Sequence, residues 1–170
     1  MKILGIDPGT AICGWGLVEK SGSSFKLLDF GVITTDKNCP QCDRLHSIYT
    51  ELSDIIKKKQ PEAVAVEELF FFKNLKTVIS VSEARGVITV AARENRIPFF
   101  EYTPLQVKQA LAGYGRADKN QVQQMVKLIL NLKEIPKPDD AADALAVAIT
   151  HGQSNQELMQ NSNLKSQSDN

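Results

Sequence analysis

A chain of 170 residues with 42% apolar and 24% charged residues has the ordinary composition of one soluble globular domain, long enough to bury a sizeable core. No apolar run approaches the roughly 18 residues of a bilayer span, the N-terminus lacks the features of a signal peptide, and three cysteines do not make a disulfide scaffold, so a cytoplasmic protein with no membrane role is expected. Twenty basic residues balance twenty acidic ones, so no overall positive field announces a nucleic-acid partner.

In chain order, residues 2–7 (KILGID) read as a short buried strand and Gly14–Val18 as a second. After the turn Ser21-Gly22-Ser23-Ser24, residues 25–35 form a third, completing an antiparallel meander. Leu45, Ile48, Leu52, Ile55 and Ile56 recur at helical spacing, which predicts a helix from about Asp43 to Lys59. Cys39-Pro-Gln-Cys42, with His46 beyond, resembles half of a zinc site. A closed site wants four ligands and no second pair exists, so a loop leading into the helix is expected. Pro61 ends that helix, and Ala63–Val66 is a wholly apolar strand of the buried parallel kind.

Residues 75–95 are expected to be helical and 97–102 a strand. Thr103-Pro104-Leu105-Gln106 is a capping box with proline at the first helical position. Asp118 with Gln121 repeats the device and opens a helix to about Leu132. A last helix runs from Asp139 to Gly152, so the domain spans 1–152, and the polar remainder, 153–170, reads as a disordered tail. Three meandering strands followed by alternating helices and strands predict an α/β fold, a mixed five-stranded sheet flanked by helices.

Asp7 is the unexpected residue of the first strand, because a buried strand has no need to end on a carboxylate. Asp-Pro-Gly is ordinary turn chemistry when it stands alone. It does not stand alone: strand 63–67 ends in Glu67-Glu68, and the crossover helix lays it parallel to strand 2–7. Both strands therefore stop on acids at the carboxyl edge, where open α/β sheets build their sites. Alternation puts Glu67 on one face and Glu68 on the other and leaves open which accompanies Asp7. Asp139, Asp140 and Asp143 supply a third source of acid. The helix dipole accounts for Asp139 in the first turn; Asp140 and Asp143 share a face, and the alanines around them let that helix approach the sheet.

Crowded carboxylates raise one another's pKa unless they bind a cation, and all-oxygen donors suit Mg²⁺ or Mn²⁺. Two such ions point to phosphodiester hydrolysis. Between Pro104 and Lys137 six basic residues (Lys108, Arg116, Lys119, Lys127, Lys133, Lys137) face two acidic ones, a local phosphate-facing surface. Lys119 is the candidate for stabilising charge on the phosphate, with Lys108 next; Arg116 in that segment and Lys73 beside the aromatics are further candidate DNA contacts. Leu69-Phe70-Phe71-Phe72 directly follows the glutamates, and one aromatic projecting there would stack on an unpaired base.

Over residues 1–152 the motifs GIDPGT, VEELFFFKN, EARGVITVAA, YTPLQVKQALAGYGRADKNQV and DDAADALAVAITHG resemble those of the RuvC family of Holliday-junction resolvases. That resemblance implies an RNase H-like fold with four metal-binding acids, carried over to Asp7, Glu67, Asp140 and Asp143. It makes Phe70 the aromatic at the junction centre and Lys108 and Lys119 the DNA-contacting, catalytically important lysines. It further implies a homodimer using the EARGV helix, paired symmetric nicks leaving 5′-phosphate and 3′-hydroxyl ends in recombination and repair, and cooperation with the RuvA–RuvB motor. Two other catalytic classes compete, beside a junction-binding protein with a dead active site, which the complete acid quartet argues against. The Asp-x-Gly-Thr of Asp7, Gly9 and Thr10 also occurs in actin-like ATPases, which need a second lobe that this length does not supply. An RNase H-like nuclease acting on RNA would use the same acids.

Overall fold

The computed structural model of the chain describes the backbone of residues 1–68 and 75–168 and the side chains of 1–68 and 78–154. Three strands, β1 (Lys2–Asp7), β2 (Ile12–Ser21) and β3 (Ser24–Thr34), come first, followed by helix α1 (Gln41–Lys59) and strand β4 (Ala63–Glu67). Helix α2 (Leu75–Glu94), strand β5 (Phe99–Tyr102) and helices α3 (Pro104–Ala112), α4 (Lys119–Ile129) and α5 (Asp139–Ser168) complete the described elements. The sheet order is β3-β2-β1-β4-β5, antiparallel through β1–β2–β3 and parallel through β1–β4–β5. It is the expected mixed five-stranded sheet.

Alternation along the strands sorts the apolar side chains into two cores. Leu4, Ile6, Val64 and Val66 pack with Ile48, Leu52 and Ile56 of α1 and Ala84, Ile88 and Ala91 of α2. On the opposite face Ile3 and Ala65 pack with Val107 of α3, Val122 and Val126 of α4, and Leu145 and Ile149 of α5. Asp7 shares a face with Ile3, and Glu67 with Ala65. Both acids therefore look toward α5, and Glu68 falls on the other side.

Local chemistry sets the element ends. Thr103 accepts from Gln106 N while Gln106 Oε1 accepts from Thr103 N, and Asp118 and Gln121 do the same for α4. Each reciprocal cap contributes about 1 kcal/mol. β2 is longer than expected because all of Ile12–Ser21 pairs with β3, carrying polar Glu19 and Lys20 that an apolar pattern does not reveal. β5 begins later than expected: Ile97 N is bonded to Ala92 O, so that residue closes α2 instead of starting a strand. The helix expected to end at Gly152 runs further, as α5, to Ser168. Residues 153–168 contain no proline, and one glycine inside a helix costs only about 1 kcal/mol.

Candidate active site

Asp7 closes β1, paired with Gly14 of β2, and the loop after it is tied down by the rest of its motif. Thr10, 5% exposed, donates its hydroxyl to Ser80 O at 2.7 Å, and its own carbonyl accepts from Thr35 Oγ1 at 2.6 Å. Thr10 is thus an internal brace linking three elements, a different use from the phosphate loop of the ATPase reading.

The sheet beneath α5 carries glycines where the helix crosses. A Cβ on Gly5 would collide with the Ala144 carbonyl oxygen and stand 2.9 Å from the Ala148 Cβ, and one on Gly14 would collide with the carbonyl of Asp140. Fully buried Ala141, Ala144 and Ala148 form the helix side of the same contact. The alanines were legible in the sequence as a route to close approach; the matching glycines of β1 and β2 were not singled out, although their recurrence through two strands was the available signal. Glycine facing alanine lets the helix backbone lie against the strands, which delivers Asp140 and Asp143 to the edge where Asp7 and Glu67 end.

Electrostatics show that these acids share one environment. Burial pushes the Asp7 carboxyl up to about 8, helped by the charges of Glu67, Asp143 and Asp140 and opposed by Lys119. Burial likewise lifts Glu67 to about 7, with Asp143 adding to it and Lys119 and Lys108 opposing. Asp143 is raised too, by burial first, against the pull of Lys119. Burial draws Lys119 down, but the hydrogen bond and charge of Asp143, then Asp139 and Asp7, leave it above its ordinary value.

Lys119, the first residue of α4, places Nζ 2.8 Å from Asp143 Oδ2 and 3.6 Å from Asp139 Oδ2. Lys108 reaches the same place from α3. With Glu67, Lys119 and Asp143 it lines a cavity of about 180 Å³ floored by Pro104, Val107, Val122 and Ala146. Asp139, assigned in sequence terms to the helix start alone, is a site neighbour. Exposed Arg116 is not among the lining residues, and Phe70 and Lys73 lie outside the described residues. Among the described residues no three His, Cys, Asp or Glu side chains are already gathered around one point, so Cys39, Cys42 and His46 form no zinc site as they stand. The same holds for the acids, where Asp143 is engaged with Lys119.

A pH dependence follows from the raised carboxyls of Asp7 and Glu67. Asp7 and Glu67 hold protons in the folded, metal-free protein that the unfolded chain releases near 3.8 and 4.5. The unfolded state binds fewer protons, so stability falls as pH rises. Melting of the metal-free protein is expected to decline from pH 4 to pH 8 and then level, and added divalent cation should recover most of the loss at pH 8. A flat profile across that window would refute the crowding.

A mixed five-stranded sheet, with acids ending its two central parallel strands and a helix bringing two more, defines an RNase H-like endonuclease. The model of the family "Crossover junction endodeoxyribonuclease RuvC" matches residues 3–151. The protein of that name from Halothermothrix orenii is 57% identical over 154 residues, covering 91% of this chain and 93% of the relative. The solved Thermus thermophilus RuvC superposes with a TM-score of 0.86 at 42% identity, over 92% of this chain and 96% of that one. The T. thermophilus protein in complex with a Holliday junction substrate matches with the same TM-score, at 39% identity and the same coverage. This chain belongs to the RuvC family of crossover junction endodeoxyribonucleases.

Proposed function

We propose that residues 1–152 form the nuclease unit and that Asp7, Glu67, Asp140 and Asp143 hold two divalent cations, Mg²⁺ with Mn²⁺ able to substitute, for cleavage of four-way DNA junctions. The observation that carries the reading is the gathering of acids at one sheet edge: burial first, and the charge of neighbouring acids second, hold Asp7 and Glu67 near neutral pKa. The donor set fits such ions, being all carboxylate oxygen. When bound, the ions supply a water activated for attack and stabilise the leaving oxygen.

The protein's own groups supply the rest. Lys119 Nζ donates to a non-bridging phosphate oxygen, where it offsets charge that builds during displacement. Lys108, over the apolar floor of Val107 and Val122, holds the adjoining backbone phosphate and keeps water from the far side of the site. Cleavage releases 5′-phosphate and 3′-hydroxyl ends. Arg116 adds a backbone contact from the exposed loop before α4. Phe70 and Lys73 lie three and six residues after Glu67 in the sequence, which supports stacking on an unpaired base and a phosphate contact there.

Paired symmetric nicks need two copies of the site, and a twofold homodimer matches a junction of the same symmetry. Supporting it, α1 and α2 leave an apolar cavity of about 430 Å³ lined by Leu45, Tyr49, Val87 and Val90, among others. On the same helix Ile79 and Val90 are 59% and 50% exposed. Work in the cytoplasm beside the RuvA–RuvB motor, in recombination and repair, completes the reading. The test is a mobile synthetic four-way junction with purified protein and Mg²⁺. Symmetric, ligatable nicks that EDTA abolishes are expected; binding without cutting in either metal, or cutting of RNA hybrids in preference, would overturn it.

A further inference from the structure

The Lys119 amine lies between two carboxylates one helical turn apart on α5, Asp143 at 2.8 Å and Asp139 at 3.6 Å. Residues i and i+4 stand on one helix face, which is why both reach it. The two are not equivalent. Asp143 is 27% exposed and its charge presses on Asp7 and Glu67. Asp139 is 45% exposed and has an anchor of its own, Oδ1 accepting from Lys137 Nζ at 2.7 Å. One oxygen of Asp139 is thus held from outside the site while the other faces Lys119.

A carboxylate that ligates a divalent cation has its charge turned to that cation, whose field repels a nearby ammonium. Asp143, with its charge shared with a cation, then holds Lys119 less strongly, and Asp139 keeps its charge for the amine. Lysine is a point charge on a flexible four-carbon stem, so an amine with no remaining partner would leave the site for solvent.

We infer that Asp139, anchored by Lys137, is a positioning residue that keeps the Lys119 amine at the reacting phosphate while Asp143 is committed to the cation; this rests on the junction-cleaving reading above. The role runs against simple charge. An extra carboxylate beside DNA opposes phosphate, so Asp139→Asn should bind the junction as tightly as wild type or more so. Losing the anchor should nevertheless slow single-turnover cleavage, by up to about a hundredfold, the scale of a catalytic group displaced by about 1 Å.

The experiment compares wild type, Asp139→Asn and Asp139→Glu, each alone and with Lys119→Gln. Junction affinity is measured in EDTA and cleavage in Mg²⁺. Slower cutting with undiminished binding is expected for Asp139→Asn, with recovery in Asp139→Glu and no further loss on top of Lys119→Gln. Asp139 also favours the N-terminus of α5 through the helix dipole. If that alone mattered, the slowing would persist in the Lys119→Gln background, and the inference would be overturned. A wild-type cutting rate in Asp139→Asn would overturn it equally.

Amine labelling of the metal-free protein with acetic anhydride, read by mass spectrometry, reports the contact without activity. Lys119 should label faster in Asp139→Asn than in wild type, and at the wild-type rate in Asp139→Glu, because one of its two carboxylate partners is lost only in the first. Unchanged labelling in Asp139→Asn would reject the anchor. Should wild type cut no junction, the parent reading falls while the labelling still decides the Asp139–Lys119 contact.

Discussion

Asp7→Asn is expected to abolish junction cleavage, by about a thousandfold or more, and at the same time to raise the stability of the metal-free protein. The two effects have one cause. A carboxyl whose pKa stands at about 8 is strained toward its neutral form by burial and by Glu67, Asp143 and Asp140. Asparagine has nearly the same shape and no charge to hold, so the repulsion vanishes. The gain should be small near pH 4, where Asp7 is protonated folded and still partly so unfolded, and should grow up to pH 8. Cleavage is lost because an amide is a poor ligand for a hard cation, and a thousandfold corresponds to about 4 kcal/mol of barrier. Junction binding should persist, since one negative charge fewer faces the phosphates. Thermal melting from pH 4 to 9, beside single-turnover cleavage, checks both halves. A variant that cuts at more than a tenth of the wild-type rate would remove Asp7 from the catalytic set, and one that is less stable at pH 8 would deny the crowding.

Gly14→Ala is expected to be among the most damaging changes outside the acids. Its Cβ would collide with the backbone carbonyl of Asp140, and backbone cannot rotate away as a side chain does. Gly14 also pairs with Asp7 across the β1–β2 ladder, so neither partner can retreat freely. Overpacking of this kind costs about 2–3 kcal/mol, roughly 5–10 °C of melting temperature for a chain this size. Activity should fall further than stability does, by about a hundredfold, because a shift of order 1 Å in a catalytic group has that effect and α5 carries Asp140 and Asp143. Gly22→Ala is the control: the turn glycine has a φ of 59° but open space around its Cβ, so it should lose stability without a selective loss of cutting. Equal losses of activity in the two variants would deny that helix placement is what Gly14 protects.

The natural trade is plain in both cases. The sheet gives up side-chain packing at Gly5 and Gly14, and the core accepts repelling acids, where α5 crosses the ends of β1 and β4. Such local departures from good packing mark functional sites, and the stability lost there is recovered in the rest of the fold.

Much of this was legible without coordinates. The order of strands and helices follows from apolar periodicity, and both capping boxes formed as their residues require. The acids at the ends of β1 and β4 stood out because a buried strand has no local reason to end on charge. The parallel pairing of those strands followed from the helix between them. The same residues, taken as motifs, carried the family. The continuation of α5 past Gly152 was missed because a polar stretch without proline reads equally as coil or as helix, and local propensity does not choose between them.

Other features needed the tertiary structure. Strand alternation defines two faces but does not say which helix covers which, so the choice of Glu67 over Glu68 by geometry waited for α5 to be seen against Ile3 and Ala65. Gly5 and Gly14 acquired meaning only when a helix backbone was found where their side chains would be. Asp139 looked like ordinary helix-start chemistry until Lys119, twenty residues earlier in sequence, was found between it and Asp143. Sequence determines what lies within a few residues, because backbone geometry and side-chain period act there. Close approach between distant segments is decided by packing, in which each contact depends on the whole arrangement of sheet and helices.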